Sequence, residues 1–204
     1  MHAVAIVCLI SSAVLATAGM ARAEPVVLAL GDSLTAGYGL PAGSAYPEVL
    51  ERLLDEAGVA AKVVNAGVSG DTAADGLARL DWALGAGPEL AIVALGANDG
   101  LRGMPVADME KSLTAILERL KERGVKVILA GMVAPGNWGG GYAREFAAVF
   151  PRLADKYGAT LYPFLLEGVA GDRSLNLPDG VHPNAAGARR IAEGLLPVVR
   201  GALR

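Results

Sequence analysis

Cysteine, histidine and strong net charge are all scarce in this sequence, and each shortage closes off a class of function. The lone cysteine, Cys8, and one of the two histidines, His2, both fall within residues 1–23, a stretch unlike the rest. Ala3 to Ala18 is an apolar run, and Ala21-Arg22-Ala23 follows with small residues at the two positions a signal peptidase reads. Residues 1–23 are therefore expected to be a secretory signal peptide, and residues 24–204 an exported domain, periplasmic or secreted. The run is short for a membrane span, and Cys8 has no lipobox before it. Once residues 1–23 are removed no cysteine remains, which rules out a disulfide and a Cys/His zinc site and leaves His182 as the only available imidazole base. Net charge is −3, and the cut takes one arginine and no acid, so the mature chain is one unit more negative. That balance attracts neither nucleic acid nor an anionic membrane, and no stable membrane insertion is expected after cleavage.

What is present is apolar: 53% hydrophobic against 19% charged residues, over a length that suits one domain with a full core. Short β-branched or Leu-rich runs alternate with longer amphipathic stretches, the pattern of parallel strands joined by crossover helices. Strands are predicted at Val26 to Leu30, Lys62 to Asn65, Leu90 to Leu95, Val125 to Ala130 and Ala159 to Tyr162. Helices are predicted over Ser44 to Ala57, Asp71 to Leu84, Val106 to Arg123, about Tyr142 to Tyr157, and Asn184 to Arg200. No repeat or linker interrupts them, so the expectation is a single α/β domain.

Sheets of this kind hold ligands beyond the carboxyl ends of their strands. The first three strands run into GDSLTAGYG (31–39), NAGVSGDT (65–72) and GANDG (96–100), and the last leads into a loop containing DGVHPN (179–184). Four small, polar, Gly-rich loops should therefore gather at one edge. Ser33 is placed there as a hydroxyl that needs a base to become a nucleophile. Asp179 stands three residues before His182 and can orient its ring. Acyl transfer further requires donors for a developing oxyanion; the Gly70 N–H, the Asn98 amide and the Ser33 N–H are candidates. Each of these has a plainer reading alone: Ser33 as a helix cap, Asp179-Gly180 and Asn98-Asp99-Gly100 as turns, Gly70 as a left-handed turn residue. Their convergence on one edge favours the chemical reading. The segment Gly100 to Pro105 follows Asn98 directly, and Leu101 and Met104 are expected either to wall an acyl groove or to tuck against the core.

These blocks, in this order and over nearly the whole mature chain, resemble those of the SGNH (GDSL) hydrolase superfamily. GDSLTAGYG, NAGVSGDT, GLARL, ALGANDGLRG and DGVHPN are especially similar to its acyl-CoA thioesterase I, arylesterase and lysophospholipase group. The resemblance implies a flavodoxin-like three-layer α/β/α sandwich around a five-stranded parallel sheet of order 2-1-3-4-5. It implies Ser33 as nucleophile, His182 as base, Asp179 as its orienting acid, and Ser33, Gly70 (not Gly67) and Asn98 as the oxyanion hole. It further implies a cofactor-free, metal-free monomer that hydrolyses a small-molecule ester, thioester or lysophospholipid. The loops Gly136 to Gly141 and Gly168 to Pro178 depart from the pattern and leave substrate preference open. Relatives that deacetylate sugars supply an alternative, as does a noncatalytic acyl- or glycan-binding module. A classical α/β-hydrolase elbow is disfavoured by Thr35, which stands where G-x-S-x-G needs its last glycine, and no phosphate-binding P-loop occurs. A carboxylate metal site from Asp32, Asp71, Asp99 and Asp179 is the remaining competitor.

Overall fold

A computed structural model describes residues 24–134 and 136–204, so the signal-peptide reading of residues 1–23 lies outside it. Strands β1 (Val26–Gly31), β2 (Lys62–Gly67), β3 (Leu90–Ala94), β4 (Lys126–Ala130) and β5 (Thr160–Tyr162) form one sheet in the order β2-β1-β3-β4-β5. Every pairing is parallel. β1 lies between β2 and β3, and its residues Val27 to Leu30 are wholly buried, as is all of β3. This is why both strands read as unbroken apolar runs rather than alternating ones.

Helices α2 (Tyr46–Glu56) and α8 (Ala185–Ala202) pack on one another, and α3 (Ala73–Ala78), α6 (Val106–Glu122) and α7 (Gly139–Tyr157) form a second group. Right-handed crossovers place these groups on opposite faces, which makes three layers. Each helix buries one stripe: Val49, Leu50, Leu53 and Leu54 on α2; Met109, Leu113, Ile116, Leu117 and Leu120 on α6. Among the described residues, no helix is long and apolar enough to cross a membrane.

The sequence periodicity departs from the structure in two places. The helix expected over Asp71 to Leu84 is interrupted at Arg79, which ends α3 and begins α4 (Leu80–Ala83), before a 3-10 turn at Leu84–Ala86. Two short helices at the sheet edge were not foreseen, α1 (Ser33–Ala36) and α5 (Ala97–Leu101). Four or five residues are too few for a 3.6-residue period to show, and both helices carry residues singled out above.

Candidate active site

The edge at the carboxyl ends of the strands is assembled from loops that local chemistry fixes. Asp32 caps α1, its carboxylate accepting the Leu34 N–H at 3.0 Å, so that Ser33 opens the helix as β1 ends. Gly67, at the end of β2, lies under α1: a Cβ there would sit 2.2 Å from the Ala36 nitrogen. Gly67 thus serves packing, whereas Gly70, at φ +90°, turns the chain into the Thr72 cap of α3. Thr72 and Asp75 form a reciprocal capping box there. Asn98 stands in the first turn of α5, behind Gly96 at φ +108°.

His182 arrives from the other end of the chain on a loop stitched by its own backbone. The Leu177 N–H donates to the His182 carbonyl at 2.7 Å, and Asn184 caps α8 by accepting from the Ala186 and Gly187 N–H groups. Asp179 folds around the histidine. Its Oδ1 accepts the Val181 and His182 N–H groups at 2.9 and 3.0 Å, and its Oδ2 is 2.8 Å from His182 Nδ1. These bonds, led by the His182 N–H, hold its carboxyl down at about 2. The other ring nitrogen, Nε2, is 2.9 Å from Ser33 Oγ. A serine, an imidazole and an ionised carboxylate thus stand in one hydrogen-bonded line across 149 residues of sequence separation.

The Asn98 amide nitrogen donates to the Asp71 carbonyl at 2.9 Å and only grazes Asp32 Oδ2 at 3.5 Å, which leaves its second N–H weakly held. Asp32 is fully buried, and burial pushes its carboxyl up to about 6. Asp99, also buried, accepts the Ala73 N–H at 2.9 Å and so ties α5 to the start of α3. The four aspartates considered for a metal are engaged separately, with Leu34, Arg79, Ala73 and His182. Among the described residues, no group of three or more potential ligands could hold a metal ion.

A cleft of about 360 Å³ opens beside Ser33, Asn98 and His182. Leu101, Met132, Val133, Phe164, Leu166 and Val181 give it an apolar wall. Leu101 therefore faces the cleft, but Met104 does not line it, which corrects its pairing with Leu101. The chain turns away at Gly103, where φ is +61° and the Trp138 ring packs on the backbone; beyond it the Met104 carbonyl accepts the Tyr142 hydroxyl at 2.8 Å. The walls after β4 and β5 escaped the sequence reading, although the rule that strand ends carry the site would have pointed to them. Tyr38 was also missed; its ring lies 4.6 Å, centroid to centroid, from that of His182. Arg102 likewise reaches back to the Gly70 carbonyl at 2.9 Å.

Comparison with known proteins gives a consistent picture. The profile of the GDSL-like Lipase/Acylhydrolase family matches residues 29–190. Esterase TesA of Pseudomonas aeruginosa is 37% identical over 179 residues, covering 87% of this chain and 89% of that protein. The crystal structure of TesA superimposes with a TM-score of 0.82 over 87% of this chain and 99% of the other. Thioesterase 1/protease 1/lysophospholipase L1 of Escherichia coli K12 is 38% identical over 174 residues, 85% of this chain and 82% of that one. AlinE4, an SGNH-hydrolase family esterase, is 47% identical with a TM-score of 0.74, covering 89% of this chain and 97% of its own.

Proposed function

The chain belongs to the GDSL-like lipase/acylhydrolase family, and from that membership together with the geometry of its sheet edge we propose that it is a serine esterase and thioesterase acting on short- to medium-chain acyl groups. Ser33 Oγ attacks the carbonyl carbon while its proton passes to His182 Nε2. The oxyanion is received by the N–H groups of Ser33 and Gly70 and by the weakly held amide N–H of Asn98. Collapse expels the alcohol or thiol, protonated by His182, and water then releases the acyl group from Ser33 by the same steps in reverse order. Asp179, held ionised far below neutral pH, steadies the imidazolium without taking its proton. The observation that carries this reading is the Ser33–His182–Asp179 line, with separations of 2.9 and 2.8 Å.

The apolar wall facing Ser33 favours an acyl chain over a sugar ring, and the three names above describe esterases or a thioesterase and lysophospholipase. All the groups invoked come from one chain, so the site is complete within a single protomer. Cleavage after Ala23 would release it beyond the inner membrane, where Cys8 and His2 no longer accompany it. The test is kinetic. Ser33→Ala and His182→Ala should each lower kcat on p-nitrophenyl esters on the order of 10⁴-fold or more with KM little changed, and the double variant should be no worse than either. A multiplicative loss in the double variant would mean that the two side chains do not act in one step.

A further inference from the structure

Arg79 interrupts what the sequence pattern writes as one helix, and its side chain runs from that break into the floor of the site. Nε donates to Asp71 Oδ2 at 2.6 Å, and Nη2 donates to the Gly31 carbonyl at 2.8 Å. Gly31 is two residues before Ser33, and Asp71 directly follows Gly70. The backbone carbonyl of the same Asp71 receives the Asn98 amide at 2.9 Å. One guanidinium therefore joins the three segments that carry the three oxyanion donors: the first through Gly31, the second through Asp71, and the third through the carbonyl that holds Asn98. Side-chain exposures of 18% for Arg79 and 12% for Asp71 leave the clamp little access to water. Its planar fork meets two acceptors at fixed angles, which a lysine ammonium on a flexible stem cannot reproduce.

We infer that Arg79 is a positioning residue of this esterase, one that sets the spacing of the Ser33, Gly70 and Asn98 donors through its two-pronged bond to Asp71 and Gly31. Its bonds go to Asp71 and Gly31 rather than to the Ser33–His182–Asp179 line. The inference rests on the esterase reading above.

Arg79→Gln keeps much of the side-chain length and loses the fork. Displacing an oxyanion donor by about 1 Å is enough to lower turnover on the order of 10²-fold. The variant should therefore lose about tenfold to a hundredfold in kcat on p-nitrophenyl acetate, with KM within about twofold of the parent. Its pH–rate profile should keep the parent's shape, because the base and its carboxylate are untouched. Arg79→Lys should recover only part of the loss. The decisive readout is coupling: because Asn98 is one of the three donors that Arg79 places, Arg79→Gln combined with Asn98→Ala should lose clearly less than the product of the two single losses. A merely structural arginine would instead multiply the two losses, and that result, or a folded Arg79→Gln with parental kcat, overturns the inference. Should Arg79→Gln not fold, Asp71→Ala removes one prong and keeps the backbone carbonyl. A loss of at least about threefold in kcat at unchanged KM then supports the clamp, and parental kcat overturns it. Ser33→Ala and Asn98→Ala are measured alongside. Activity surviving Ser33→Ala sinks the esterase mechanism itself, whereas a fully active Arg79 variant of an enzyme that both changes cripple sinks only the positioning role.

Discussion

Asp32 shows how one residue can serve the site at the expense of the fold. It is fully buried, its carboxylate caps α1 through the Leu34 N–H, and burial raises its titration from 3.8 to about 6. Between those values the folded protein keeps a proton that the unfolded chain has released. The stabilising contribution is thus complete below about pH 4 and is lost as pH rises through about 6. A shift of about two pH units corresponds to at most ~3 kcal/mol. Asp32→Asn removes the titration and keeps an acceptor for Leu34. Its unfolding free energy relative to the parent should improve by up to ~3 kcal/mol between pH 4 and pH 8, as read from urea melts at both values. An identical difference at both pH values would contradict burial as the cause. At this scale the sequence was legible where a residue type was scarce: His182 stood out because no other histidine follows His2. Arg79 and Tyr38 were illegible because an arginine or a tyrosine near a loop is common, and only the distances to Asp71, Gly31 and the His182 ring set these two apart.

Among the elements, α5 and the loop behind it carry Asn98 and the cleft wall together, which makes them the place where acyl preference can be separated from chemistry. Leu101 ends α5 and lines the cleft, which Met104 does not. A buried methylene contributes about 0.8 kcal/mol, so four of them against a complete wall could favour an octanoyl over a butyryl ester by roughly 3 kcal/mol at most. Leu101→Ser should lower kcat/KM for octanoyl esters several-fold more than for acetyl esters. Met104→Ser should leave that ratio within about twofold of the parent's, since its side chain is no part of the wall. Equal losses on both chain lengths for Leu101→Ser, in a folded protein, would make α5 a connection only. The long elements were legible because each repeats its period several times: α6 buries five residues from Met109 to Leu120 on one stripe, and β1 and β3 are continuous apolar runs. The break at Arg79 was not, because the apolar spacing of Leu77, Leu80 and Leu84 continues across it. At the break, the Arg79 side chain bonds to Asp71 and Gly31, contacts that periodicity does not register.

In the whole molecule, a parallel sheet of order β2-β1-β3-β4-β5 delivers loops from residues 31–39, 65–72, 96–105, 131–134 and 164–184 to one edge. That order was legible from the alternation of strands and helices and from the resemblance of four blocks. The apolar wall after β4 and β5 was not, because its composition resembles that of any buried loop and only the fold turns Val133, Phe164 and Leu166 toward Ser33. We propose that this edge makes an acyl-enzyme on Ser33, which covalent trapping can show. Incubation with an acyl-chain organophosphonate, followed by intact mass and peptide mapping, should give one adduct per chain, on Ser33. Esterase activity should vanish in step with labelling, and Ser33→Ala should take up no label. Full activity in a protein that the reagent does not modify, or an adduct on another residue that tracks the loss of activity, would contradict the account.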